Sequence, residues 1–140
     1  MIEIKRTPFW IFYSASKEVD FDSKKCGKWM YFFDDIEYAE AKCKEAIESG
    51  AIKHCKHSNA DNGVACFYLH CDDIEAHKKI LSFFLDKKLI KRTKAGKLYN
   101  IPFKLDIQTR AGEYGSGFES EIKLEKFVDL TTGEWIYGGK

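Results

Sequence analysis

The chain has 140 residues, 44% hydrophobic and 15% aromatic, with only two prolines, which suits one compact domain and argues against a disordered or linker-rich chain. Its 23 basic and 22 acidic residues leave a formal charge of +1, too little for whole-molecule attraction to nucleic acid or membrane, although local patches are still allowed. No apolar stretch approaches the ~18 residues of a membrane span, the first residues carry no signal-peptide core, and the five cysteines show no paired spacing; a cytoplasmic protein with reduced thiols and no membrane attachment is expected.

In chain order, PFWIFY (8–13) is a short aromatic run and reads as a strand. A polar loop follows, then a second strand, GKWMYFF (27–33). Asp34 and Asp35 are suited to cap a helix whose inner face carries Ile36, Ala39, Cys43 and Ile47, and Gly50 stops it. AIKHCKHS (51–58) leads into a turn ending in Asn62-Gly63, and VACFYLHC (64–71) returns as an antiparallel strand. Asp72 and Asp73 open a second helix with Ile74, His77, Leu81 and Phe84 inward. A basic segment follows, with Lys87, Lys88, Lys91, Arg92, Lys94 and Lys97, then a strand over 98–105. That strand runs into Gln108-Thr109-Arg110-Ala111-Gly112, a glycine-containing turn whose arginine and hydroxyl could hold an anion. Strands over 118–128 and 134–137 complete the chain, with a turn at Thr132-Gly133. The order ββαββαβ(β) predicts an α+β fold, a single domain over 1–140 with a curved, mostly antiparallel sheet and two main helices on one face.

Few constellations carry chemistry. His54, Cys55, His57, Cys66, His70, Cys71 and His77 match no zinc spacing, and strand alternation separates adjacent members; buried thiols and surface histidines are expected, with no metal or cofactor. Cys55 and His57 share a strand face, as a nucleophile and base would, but no nucleophile elbow, phosphate loop or zinc-protease motif accompanies them. The paired aspartates sit at helix starts, where capping accounts for them. No catalytic set is predicted. The basic run 87–97 reads as a solvated helix end or as a rim for phosphates. Trp10 and Trp29, placed on neighbouring strands, read as core or as a stacking surface served by Lys28, Lys56, Lys104 and Arg110.

Four segments fall in a suggestive order: Phe9-Trp10-Ile11, Gly27-Lys28-Trp29, Lys56-His57-Ser58, and Phe103-Lys104-Leu105-Asp106 followed by Thr109, Gly112 and Tyr114. Together they resemble the basophilic-leukaemia-expressed protein family, over about residues 8–115, leaving 116–140 as a C-terminal strand extension. The resemblance implies a fold like the translation-initiation cap-binding protein. It also implies that Lys104, Thr109 and Arg110 line one end of a concave sheet face, with Ser58 and Tyr114 at matched positions. The expected function is non-enzymatic capture or sequestration of a nucleotide or nucleotide-derived, phosphorylated small molecule. Trp10 or Trp29 would stack on the base, and Lys28, Lys56, Lys104 and Arg110 would meet the phosphates. The alternatives are a protein-interaction module, acting as adaptor or inhibitor, and a single-stranded RNA binder.

Overall fold

Two aspartates start the two helices. In the computed structural model, which describes residues 2–15, 25–105 and 122–137, helix α1 spans Ile36–Glu48 and helix α2 spans Ile74–Asp86. Asp35 Oδ1 accepts hydrogen bonds from the amides of Glu37 (3.0 Å) and Tyr38 (3.4 Å), and Asp73 Oδ1 from that of Ala76 (3.1 Å). These caps satisfy amides that the first helical turn leaves without partners. Gly50 follows α1 with φ +81°, a conformation glycine adopts without steric cost. Asp72 does not cap; it pairs with Lys25 at 3.0 Å.

Seven strands form one curved sheet: β1 (Glu3–Arg6), β2 (Trp10–Ser14), β3 (Cys26–Phe33), β4 (His54–Ser58), β5 (Gly63–His70), β6 (Pro102–Leu105) and β7 (Ile122–Lys123). The spatial order is β1-β2-β4-β5-β3-β6-β7, and every pairing is antiparallel. The α+β class, the antiparallel sheet and the two helices on one face agree with the sequence reading. The hairpin β4–β5 turns where Asn62-Gly63 places it, and Gly63 is required there. A Cβ at this position would collide with the Ser58 side chain, whose hydroxyl accepts from the Val64 amide (3.0 Å) and donates to the Val64 carbonyl (3.3 Å).

Several expectations need correction. β2 and β3 are not neighbours, because β4 and β5 lie between them; Trp10 and Trp29 are therefore well separated. Strand β1 was not expected from EIKR, and the strand expected over 98–105 shortens to Pro102–Leu105. Within 118–128, Ile122–Lys123 is strand and Leu124–Lys126 is a 3-10 turn. Residues 134–137 contribute one isolated bridge, Val128 to Trp135, and no strand.

Register separates the two faces. Tyr13 pairs with Cys55, Cys55 with Phe67 and Phe67 with Trp29, so these four point to one side. Trp29 meets His77 of α2 on that side, and Cys55 approaches the Cys43 carbonyl of α1. This side holds the main core: Ile11, Tyr13, Trp29, Phe67, Phe84 and Phe103 are buried with the inner faces of both helices and with Leu124, Phe127 and Val128. Gly27 lies beneath the Phe103 ring, where a side chain would collide.

Two buried histidines belong to this core and to no surface. His77 Nδ1 accepts the Trp29 indole N–H (3.0 Å), so its proton sits on Nε2 and is donated to the Cys71 carbonyl (2.9 Å). His57 Nδ1 donates to the Ser58 carbonyl (2.9 Å), leaving Nε2 to accept the Tyr13 hydroxyl (2.8 Å). Burial is the main reason both imidazoles titrate below the ordinary histidine range, and it pushes the Tyr13 hydroxyl well above its usual value.

Candidate binding face

The other face of the sheet carries a different chemistry. Starting from β1, one row across the strands reads Glu3, Ser14, His54, Tyr68, Lys28, Lys104. The adjacent row reads Lys5, Phe12, Lys56, Cys66, Met30. A third holds Trp10 opposite Ser58. Strand pleating puts these side chains on the side away from the helices. Lys123, opposite Pro102, joins them. Among the described strand residues of this face, Lys5, Lys28, Lys56, Lys104 and Lys123 are cationic and only Glu3 is acidic.

The aromatic groups and the cations touch. The Lys56 ammonium lies 3.9 Å from the centroid of the Trp10 ring, 5.7 Å from Phe12 and 5.8 Å from Tyr68. The first distance is a close cation–π contact, worth roughly 0.5–2 kcal/mol. Lys28 reaches the same Tyr68 ring at 5.9 Å. His54 packs between Phe12 (6.4 Å, stacked) and Tyr68 (5.5 Å), and burial together with Lys56 keeps its imidazole below its ordinary pKa. A hollow of about 260 Å³ opens at the β1 end beside Phe12, Ser14 and His54.

Two features of this face stand out energetically. Lys28 is only 8% exposed, an uncommon position for an ammonium group, and Lys104 is its direct cross-strand partner. Cys26, Cys66 and Tyr68 form a small buried cluster beside them, packed by Met30 and Val64.

Of the residues singled out from sequence, Trp10, Lys28, Lys56, Ser58 and Lys104 share this face. Trp29 does not. Its indole is fully buried on the helix side, bonded to His77 and packed on Phe103 (5.4 Å) and Phe127 (6.1 Å), so it has no surface to stack a base. The parity of β3 is the reason: neighbours Lys28 and Trp29 must point to opposite sides. The Ser58 hydroxyl is committed to the hairpin. Thr109, Arg110 and Tyr114 lie outside the described residues. Phe12, His54, Tyr68 and Lys5 were missed, although counting in twos from Trp10 and Lys56 reaches Phe12 and His54.

The remaining constellations resolve simply. Cys55 and His57 share the helix side, but His57 is engaged by Tyr13 and Ser58, and burial raises the Cys55 thiol, so they do not form a nucleophile–base pair. Among the described residues, no three or more His, Cys, Asp or Glu side chains come together as metal ligands, and no helix is long and apolar enough to cross a membrane. In the basic run, Lys87 reaches Glu45 (3.7 Å), and Arg92 donates to the Gly96 (2.6 Å) and Thr131 (3.4 Å) carbonyls, tying its loop to the C-terminal segment. No family model, curated protein or solved structure matches this chain.

Proposed function

We propose that this chain is a non-enzymatic binding protein that captures a nucleotide or nucleotide-derived small molecule on the helix-free face of its sheet. The observation that carries the reading is the Lys56 ammonium stacked 3.9 Å over Trp10, within a face bearing five lysines and one glutamate among its described strand residues. Such a ligand needs a flat apolar surface beside several cations, because a base stacks while its phosphates demand charge-assisted hydrogen bonds. Without ligand, Lys56 covers the indole. A base would displace it and inherit the aromatic surface, while the freed ammonium turns to the phosphate. Lys28 and Lys104 extend the cationic track away from Trp10.

Of the two tryptophans expected to stack on a base, the reading keeps Trp10, with Phe12 and Tyr68 beside it. A cytoplasmic location fits the five free cysteines, which a reducing compartment preserves. The test is thermal-shift and calorimetric titration with mono-, cyclic and dinucleotides, with inorganic phosphate as control. At least one nucleotide should bind more tightly than phosphate, and Trp10→Ala and Lys56→Ala should each weaken it tenfold or more. A panel without any nucleotide-specific shift, or equal binding by both variants, would remove the proposal. A steep fall of affinity for single-stranded RNA with salt would redirect it to that ligand.

A further inference from the structure

The sheet has a half-finished edge in its middle. β3 pairs with β5 along its whole length, from Cys26 to Phe33, but with β6 only at Gly27 and Lys28. Sequence explains why the second ladder stops. Continuing the register would set Pro102 opposite Met30, and proline has no N–H to donate. Upstream of Pro102 the chain bends away: the Ile101 amide donates to the Tyr99 carbonyl (2.9 Å), and the Ile101 carbonyl accepts from the Leu124 amide (2.9 Å). Beyond Lys28, no described segment pairs with β3 on this side.

The divergence leaves a groove of about 360 Å³ between the bare half of β3 and the segments around Ile90 and Tyr99. Met30, Tyr31 and Phe32 form one wall; Leu89, Ile90, Tyr99 and Ile101 contribute to the other, and Lys91 is the charged lining residue. Phe32 is 66% exposed and Tyr99 50%, both high for large aromatic side chains. Exposed Lys88 lies three residues before Lys91, and Arg92, whose guanidinium holds the Gly96 and Thr131 carbonyls, follows it.

We infer that this edge is a docking site for an extended, acidic peptide segment of a partner protein, which adds a strand to β3. Alternate residues of an antiparallel edge turn both N–H and C=O outward, so the bare half of β3 offers a main-chain template. A strand lying there completes the ladder that Pro102 interrupts, and its apolar side chains reach the groove floor. The other face of the strand meets Lys91, the charged residue of the lining, which selects for glutamate and aspartate. Main-chain pairing gives such complexes their affinity and side-chain pockets their choice of partner. The groove shares Met30 with the helix-free face, but Trp10 and Lys56 lie on β2 and β4, with β5 between them and β3.

The probe is a capped octapeptide of alternating valine and glutamate, titrated by NMR against the full chain at low salt. Binding should slow amide exchange within Met30–Phe33, and Phe32→Asp should weaken it tenfold or more. Lys91→Glu, or lysine in place of the peptide's glutamates, should weaken it about fivefold. Because Phe32 and Lys91 are exposed, these variants keep the fold, which an unchanged thermal melt checks. Peptides with every second amide methylated, in both registers, should fail to bind. The inference is overturned if the methylated peptides bind as well as the parent, if no amide of β3 gains protection at millimolar peptide, or if sedimentation shows a dimer that Phe32→Asp dissociates, which would assign the edge to a second copy of this chain. Trp10→Ala should leave peptide binding intact, which separates this test from that of the nucleotide face.

Discussion

Acidification should destabilise this fold through His57 and His77 before its carboxylates take part. Each imidazole is fully buried and neutral, with one nitrogen donating and the other accepting. A second proton on His77 would set an N–H against the Trp29 N–H, among the rings of Phe103 and Phe127. The Cys71 carbonyl, Asp73 and Asp72 favour that proton, but burial, aided by Lys126, outweighs them. For His57, Glu40 favours protonation and Arg6 opposes it, again secondary to burial. Because the folded pKa values are depressed, the unfolded chain takes up protons first. Stability is therefore complete above the unfolded histidine value, about pH 6.5, and is lost as pH falls from there towards the folded values. Each histidine contributes a slope of at most about 1.4 kcal/mol per pH unit, and because the unfolded imidazoles are already half protonated at pH 6.5, the two together remove at most about 2 kcal/mol between pH 6.5 and 5.5. That is a large part of a typical 5–15 kcal/mol. Half-buried His54 adds a smaller term of the same sign. Glu40, Asp72 and Asp129 also have lowered pKa values, but their contributions disappear only near and below the ordinary carboxylate range. Urea denaturation followed by tryptophan emission at pH 7.5, 6.5 and 5.5 measures the slope. His77→Gln keeps both hydrogen-bonding roles without the titration and should roughly halve it. A stability that stays flat across this interval, or a slope unaltered in His77→Gln, refutes the reasoning.

Three further outcomes test the architecture by the same denaturation assay. Trp29→Ala should cost about 3–5 kcal/mol, as large core truncations do, whereas Trp10→Ala should cost under ~1 kcal/mol, because half-buried Trp10 lies outside the main core; similar losses would contradict the assignment of the two faces. Gly63→Ala should cost roughly 1–3 kcal/mol, because the added methyl collides with Ser58 and the hairpin must shift; a neutral effect would show that the turn yields freely. Asp35→Ala should cost about 1 kcal/mol by removing the cap of α1, while Asp34→Ala should be nearly neutral, and the reverse ranking would move the helix start.

The parts legible in sequence were those that local chemistry determines. Asp35, Asp73 and Gly50 bound the helices, and Asn62-Gly63 located the hairpin, since capping and turn conformation involve residues a few positions apart. Alternation identified the strands but not their spatial order. Placing Trp10 beside Trp29 assumed that consecutive strands are adjacent, and the crossover from β2 to β3 defeats that assumption by two strands. Strand β1 escaped notice because an edge strand with mostly exposed side chains has little apolar signature. His77 was placed inward by helical periodicity, but the burial of His57 was not foreseen, because the partner that makes it tolerable, Tyr13, lies 44 positions away in sequence. On the candidate face, Lys56 and Trp10 were both singled out, but their contact depends on the pairing of β2 with β4.

The position of β3 also bears on how the protein is made. GKWMYFF leaves the ribosome before its full-length partner β5, which is some 35 residues further along the chain, and β6 follows later still. Until β5 appears, a nascent chain exposes a strand rich in aromatics with both edges bare, the type of segment that recruits other chains. Products terminated shortly before residue 63 should therefore be insoluble, and expression should benefit from conditions that shorten this interval or from a chaperone that covers it.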